Sequence, residues 1–350
     1  MAVSVRGAMN LFLIILLTHA TINMSFGRSN GDDVSLVYLD LQGSGFQGPI
    51  PCAIQNLTAL RYLDLLESNF ESTKIPSCLY DMPRLEYLNI SSNNLEGVIA
   101  SAIQNLISIV ELDMSYNALE GIVPKSVGNL CNLEFINLRG NRFYSTLPVW
   151  FFNIKSLVYL DLHKSCLEGP IPCGIQNLTA LRYLDLSERN FDSTIIPSCL
   201  YDMSILEHLD LHSSNLHGVT ASAIENMTSF VHLDLSINAL EGKVPASVGN
   251  LCYPSNNLMP LYLSENSFFG HLTDRIVEFK SLLILSLPGN MISGPISVSF
   301  AKLSSLERLV VGINQLNGCL PESLGGLSNL QVVDISSNLF EGVGLGNRTL

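Results

Sequence analysis

The pattern L-x-x-L-x-L-x-x-N-x-L begins thirteen times in this 350-residue chain, at Leu36, Leu60, Leu85, Ile109, Leu133, Leu157, Leu181, Leu206, Phe230, Leu258, Leu282, Leu306 and Leu330. The interval is 24 residues almost throughout; two repeats have 25, and the one from Phe230 has 28, where Tyr253 to Asn256 read as an insertion. No unit of this length can bury its own leucines, so the units must stack, each touching only its neighbours. Within a unit the last two leucines of L-x-x-L-x-L are two apart. They share the inward face of a short strand, and the intervening positions face solvent. The Asn eight residues after the first Leu recurs as Asn93, Asn117, Asn141, Asn238, Asn266, Asn290, Asn314 and Asn338. Its side chain can turn inward and satisfy backbone groups where the strand ends.

A 24-residue period with this signature is that of a leucine-rich repeat. The expected fold is an α/β repeat solenoid: a horseshoe with a parallel β-sheet on its concave face and short 3-10 or irregular segments on its convex face, spanning about thirteen repeats over 36–350.

The segment IQNLTALRYLDL occurs at Ile54 to Leu65 and again at Ile175 to Leu186. It belongs to a longer copy: residues 47–131 align without gaps to 168–252, with 61 of 85 positions identical. Five whole repeats were duplicated as a block, which a stacked array accepts because insertion of whole units breaks no closed core. Six of fifteen solvent-side strand positions differ between the copies: Leu66/Ser187, Tyr87/His208, Asn89/Asp210, Ser91/His212, Glu111/His232 and Tyr116/Ile237.

Arg6 precedes the apolar run Leu11 to Leu17, with small residues at Ala20 and Gly27, the pattern of a secretory leader over 1–27. Residues 28–35 form a short flank without cysteines. No stretch is long enough to span a bilayer as a helix, so direct membrane insertion by this chain is not expected. A net charge of -13 and a pI near 4.9 argue against nucleic acid or an anionic membrane as partner, since both require clustered Lys and Arg.

Six of the eight cysteines are block copies, Cys52/Cys173, Cys78/Cys199 and Cys131/Cys252. Two readings stand: buried or half-buried free thiols, or bridges joining Cys52 to Cys78 and Cys173 to Cys199, which follow the Pro of adjacent repeats. Glycan acceptors N-x-[ST] occur at Asn23, Asn56, Asn89, Asn177, Asn226 and Asn347; Asn23 leaves with the leader if cleavage falls after it, and Asn89 lies on the ligand-facing strand surface.

Period two places His208, Asp210 and His212 on one strand face, with His232 and Asp234 at matching places one repeat later. Asp161, Asp185, Asp210 and Asp234 form a carboxylate column expected to raise the pKa values of the three histidines and to make the patch less negative in mild acid. A flat strand face does not by itself converge ligands on one ion, and no catalytic motif accompanies the cluster, so neither a metal, a cofactor nor an enzymatic role is expected.

The unit L-x-x-L-D-L-S-x-N-x-L-x-G-x-[IV]-P, as in Phe230 to Pro245, together with Gly128 to Leu133 (GNLCNL), resembles plant extracellular leucine-rich-repeat receptor-like proteins of the disease-resistance type. The resemblance implies perception of a pathogen- or development-derived peptide or protein ligand, signalling through a receptor-kinase co-receptor, a cell-wall location, and plasma-membrane attachment where the full product carries a downstream transmembrane helix. The alternatives are a soluble polygalacturonase-inhibitor-like protein or a non-functional decoy. On such a scaffold the expected ligand face lies on repeats six to nine, at His163, Arg182, Tyr183, Glu188, His208, Asp210, His212, His232 and Asp234. The family's cysteine caps are missing at both ends, so the chain is read as truncated. Leu36, Leu39, Leu41, Val333 and Ile335 are therefore expected to be exposed and the ends to fray.

Overall fold

A computed structural model describes residues 23–28, 34–45, 48–70, 73–220, 229–244 and 260–343. The chain divides into two compact units, Met1–Leu167 and Glu168–Leu350.

In the first unit, parallel strands at Val34–Asp40, Tyr62–Asp64, Tyr87–Asn89, Glu111–Asp113, Phe135–Asn137 and Tyr159–Asp161 pair in chain order. In the second, Tyr183–Asp185, His208–Asp210, His232–Asp234, Pro260–Tyr262, Ile284–Ser286, Arg308–Val310 and Val332–Asp334 do the same. Every described repeat thus supplies one short strand, and the residue between its two outward side chains is a buried Leu or Ile except at the last strand, where it is Val333. Short 3-10 turns such as Cys52–Asn56 and Cys173–Asn177 return the chain between strands. Their Ile54 and Ile175 close the core from the opposite side. Each unit is therefore the α/β repeat array expected from the period.

The asparagine ladder forms as the spacing requires. Asn117 Nδ2 donates to the carbonyls of Ile90, Met114 and Ser115 at 3.0–3.1 Å. Its Oδ1 accepts the backbone N–H groups of Asn93 and Leu95 at 3.1 and 2.9 Å. Asn141, Asn238, Asn266, Asn290, Asn314 and Asn338 repeat the arrangement. Buried backbone groups at each strand end are satisfied in this way by the repeat that follows.

The chain ends differ from expectation at one side. Asn23–Arg28 pairs antiparallel with Val34–Asp40, and Leu39 and Leu41 are each only 2% exposed. The expected apolar N-terminal edge is covered by backbone pairing, which no repeat signature announces. This strand overlaps the expected leader: cleavage after Ala20 would keep it and cleavage after Gly27 would remove nearly all of it. At the other end Val333 is 50% exposed. No helix among the described residues is long and apolar enough to cross a membrane.

Both bridges exist: Cys52 joins Cys78 and Cys173 joins Cys199, each across a Cα separation of 5.4 Å. The free-thiol reading fails at these four positions because the successive 3-10 turns bring the cysteines of adjacent repeats within bonding reach. Cys131, Cys166 and Cys319 are free and exposed rather than buried; Cys252 lies outside the described residues.

Candidate functional site

The second unit gathers most of the expected ligand-facing residues. Strand pairing sets Tyr183 beside His208 and His208 beside His232, and aligns Asp185, Asp210 and Asp234 two residues along, on the same face. At strand spacing, rings at matching register positions meet face to face. Tyr183 stacks on His208 at 4.0 Å and His208 on His232 at 4.2 Å, both pairs inclined by 11°. The next strand has Pro260 at that place; Tyr262, in register with Asp234, tilts against His232 from the diagonal at 5.8 Å.

The carboxylates fold back on their own strands. Asp185, Asp210 and Asp234 each accept, through Oδ1, the N–H two residues on, at 2.8–2.9 Å. Asp210 Oδ1 is also 2.9 Å from His212 Nδ1, and His212 Nε2 lies 3.8 Å from Glu188 Oε1. Arg182 pairs with Glu207 at the exposed rim.

Titration behaviour splits the three histidines, against the uniform rise expected from the column. Burial between stacked rings, reinforced by the neighbouring His232, pushes His208 down to about 4 despite Asp185. Burial likewise lowers His232, the charges of Asp234 and Asp185 notwithstanding. His212 is raised: burial opposes its charge, but the hydrogen bond and charge of Asp210, with Asp234 and Asp185 behind it, prevail. Asp210 is pushed up to about 6, first by burial and then by the like charges of Asp185 and Asp234, against its hydrogen bonds from His212. Desolvation in the stack therefore outweighs attraction to the column at two imidazoles of three.

His163 leaves the site. It is 6% exposed because it occupies the place after L-D-L where other repeats put the buried Ser91, Ser115, Ser187 and Ser236. It also belongs to the first unit. His212 occupies that place too but remains half-exposed.

Among the glycan candidates, Asn56 and Asn177 end 3-10 turns and are exposed. Asn89 is 7% exposed, and its amide is engaged with Asp64, Ser91 and the Ser91 N–H, a poor acceptor in the folded chain. Asn226 and Asn347 lie outside the described residues.

Sequence reasoning missed the first unit's aromatic row. Tyr38, Tyr62 and Tyr87 stack at 4.2 and 4.0 Å, and the Tyr62 and Tyr87 phenols both donate to Asp64 Oδ2, at 3.3 and 3.2 Å. The signal was available: an aromatic recurs directly before the Leu of successive L-[DN] pairs.

Family models described as leucine rich repeat match residues 83–143 and 35–57. With the strands, turns and asparagine ladder in place, the chain is a leucine-rich-repeat protein. Over 72 residues, 21% of its length, it is 39% identical to Receptor-like protein EIX1 of Solanum lycopersicum, of which that stretch covers 7%. It superimposes with a TM-score of 0.75 on the leucine-rich-repeat ectodomain of the receptor kinase GASSHO1/SCHENGEN3 from Arabidopsis thaliana, solved in complex with CASPARIAN STRIP INTEGRITY FACTOR 2. There it is 30% identical and covers 87% of this chain and 39% of that one. The Arabidopsis HAESA ectodomain, solved with an N-terminally extended IDA peptide hormone, gives a TM-score of 0.75 at 28% identity, covering 87% and 54%. Within the leucine-rich-repeat class the chain is similar to plant receptor-like proteins and to plant receptor-kinase ectodomains. It spans well under two thirds of these relatives.

Proposed function

We propose that this chain is a ligand-recognising ectodomain region of a plant cell-surface receptor-like protein, taking a peptide or protein ligand on the strand face of its second unit. One observation carries the reading: after block duplication the inward strand leucines stayed buried in both copies (Leu63/Leu184, Leu88/Leu209, Leu112/Leu233), while the outward strand positions and the place just after them exchanged Tyr87, Asn89, Ser91 and Glu111 for His208, Asp210, His212 and His232. A face rewritten on an unchanged scaffold is what changing a binding preference requires. The HAESA ectodomain solved with a peptide hormone, and the GASSHO1/SCHENGEN3 ectodomain solved with CASPARIAN STRIP INTEGRITY FACTOR 2, support the ligand class. The net charge of -13 favours a basic or neutral ligand. A receptor kinase as signalling partner, a cell-wall location and membrane attachment belong to the same reading, as does a binding rather than catalytic role.

The test is comparative capture of peptides from plant extracellular fluid. The secreted chain should retain a defined peptide that is lost from a variant carrying Arg182→Ala, Tyr183→Ala and Glu188→Ala. Substitutions at exposed 3-10 positions such as Gln55 and Gln176 should leave retention unchanged. Equal loss from both surfaces, or no selective retention, overturns the assignment.

A further inference from the structure

The histidine and aspartate cluster has a second chemistry, independent of any peptide. We propose that His208, Asp210 and His232 bind one divalent transition-metal ion of the zinc or copper(II) kind, with His212 holding Asp210 in place.

The geometry supplies the donors. One ligand atom from each of His208, Asp210 and His232 lies within 4.8 Å of the others. A tetrahedral ion with bonds of about 2.0–2.1 Å holds its donors about 3.4 Å apart, so closure requires movements of little more than an ångström. Rotation of the two imidazoles out of their parallel stack provides these, since their lone pairs must converge. The strands need not move, because pairing already fixes His208 against His232 and Asp210 against Asp234.

The donor types select the ion. Two imidazoles and one carboxylate suit zinc and copper(II), whereas calcium and magnesium demand oxygen-rich shells. His208 Nε2 is a buried nitrogen with no hydrogen-bond partner, an arrangement that folded proteins rarely leave unused. The Asp210 carboxylate is oriented as metal-binding carboxylates are: Oδ1 is held by the N–H and Nδ1 of His212, both at 2.9 Å, which leaves the other oxygen for the ion. Asp210, His212 and Asp234 form a second group by the same distance measure, and Asp210 is the member common to both.

The duplicated block provides an internal control. At the aligned positions the first copy has Tyr87, Asn89, Ser91 and Glu111. It lacks every imidazole of the cluster on the same backbone, and its polar ends are already tied to Asp64.

The experiment is calorimetric titration of the purified, thiol-alkylated chain with zinc chloride, paralleled by visible absorption with cobalt(II) and by calcium and magnesium controls. Alkylation removes the exposed Cys131, Cys166 and Cys319 as competing ligands. The expected result is one equivalent of zinc bound, with tetrahedral-type cobalt absorption. Zinc affinity should fall at least about a hundredfold in H208Y/H232E and about 10–100-fold in H212S. These substitutions install residues that the first copy carries at the same places, and D210N, matching Asn89, provides a third variant should the double one unfold. Absence of saturable zinc binding in the unmodified sequence, equal affinity in H208Y/H232E and D210N, or calcium binding as tight as zinc would each overturn the proposal.

Discussion

The pair of strands Tyr87–Asn89 and Glu111–Asp113 and the pair His208–Asp210 and His232–Asp234 descend from one duplicated block, yet they present different chemistry on the same frame. Beneath the surface little has changed. Leu88 and Leu209 are 1% and 2% exposed, each copy has its disulfide, and Arg61–Glu86 is matched by Arg182–Glu207. Even the stacking distance survives: Tyr62 on Tyr87 and Tyr183 on His208 both sit at 4.0 Å. What differs is where the polar ends go. In the first copy two phenols and the Asn89 amide converge on Asp64. In the second, imidazoles replace the groups that reached so far, and His208 Nε2 is left without a partner. Matching register positions let flat rings stack at strand spacing; residue identity decides whether their edges are closed off or available.

If the frame is shared, injuring it should cost both copies alike. Leu88→Ala and Leu209→Ala should each destabilise their unit by about 2–5 kcal/mol, because neighbouring repeats cannot collapse into the cavity. Hydrogen exchange of the flanking strand amides, read separately for each unit, measures this. A loss in one copy more than twice that in the other would show that the duplicated cores have diverged.

The bridges come next. Each closes a loop of 26 residues, for which the loop-entropy argument gives about 3.5 kcal/mol as an upper figure. Replacing both cysteines of either pair by Ala should lower the urea midpoint of that unit and leave the other unit unaffected, since the effect is local in a stacked array. A loss confined to one of the two replacements would break the symmetry of the comparison.

The parts of this frame that were legible in the sequence depend on short spacings. A period of two assigned Leu63, Leu88 and Leu209 to the core, and the recurring Asn assigned the ladder. The illegible parts depend on neighbours across strands. His163 and His212 share a place in the repeat, but only packing shows that the first is buried. The pKa directions of His208 and His232 reverse because desolvation in a cross-strand stack outweighs the neighbouring carboxylate charges. The bridges required knowing that cysteines 26 positions apart meet at 5.4 Å, and Asn23–Arg28 carries no repeat signature.

A smaller effect sharpens the comparison at the turn after the strand. Tyr116 and its counterpart Ile237 both adopt left-handed backbone, with φ of 50° and 54°, where Gly140 and Gly289 stand in other repeats. Side chains meet a steric penalty in this region, and a β-branched one most of all. Ile237 is also 48% exposed, so little packing is lost on replacement. Ile237→Asn should therefore raise stability by about 1 kcal/mol, and Tyr116→Asn by less. Urea unfolding compares the two, and a destabilised Ile237→Asn would mean that Ile237 makes contacts worth more than its strain.

The smallest effect is a pH dependence, measured with chelator present so that only protons bind. His208 titrates near 4 in the folded chain against 6.5 in the unfolded one, so between those values the unfolded state binds the extra proton and stability falls as pH drops. His232, lowered as well, acts in the same direction. Asp210 works oppositely: raised to about 6 from 3.8, it holds a proton in the folded state that the unfolded chain has released, so stability falls as pH rises through that range. His212, raised, adds stability at low pH that is lost as pH climbs through its folded value. The contributions of His208, His232 and Asp210 oppose one another between about pH 4 and 6, that of His212 falls above 6.5, and the partial exposure of the groups mutes each of them. The unmodified second unit should show a shallow profile there. H208Y removes one opposing member without removing any group that perturbs Asp210, and its unit should gain stability relative to the unmodified chain as pH is lowered from 6.5 to 4.5. Parallel profiles for the two proteins would mean that His208 is not held uncharged by its stack, and the division among the three imidazoles would fall with it.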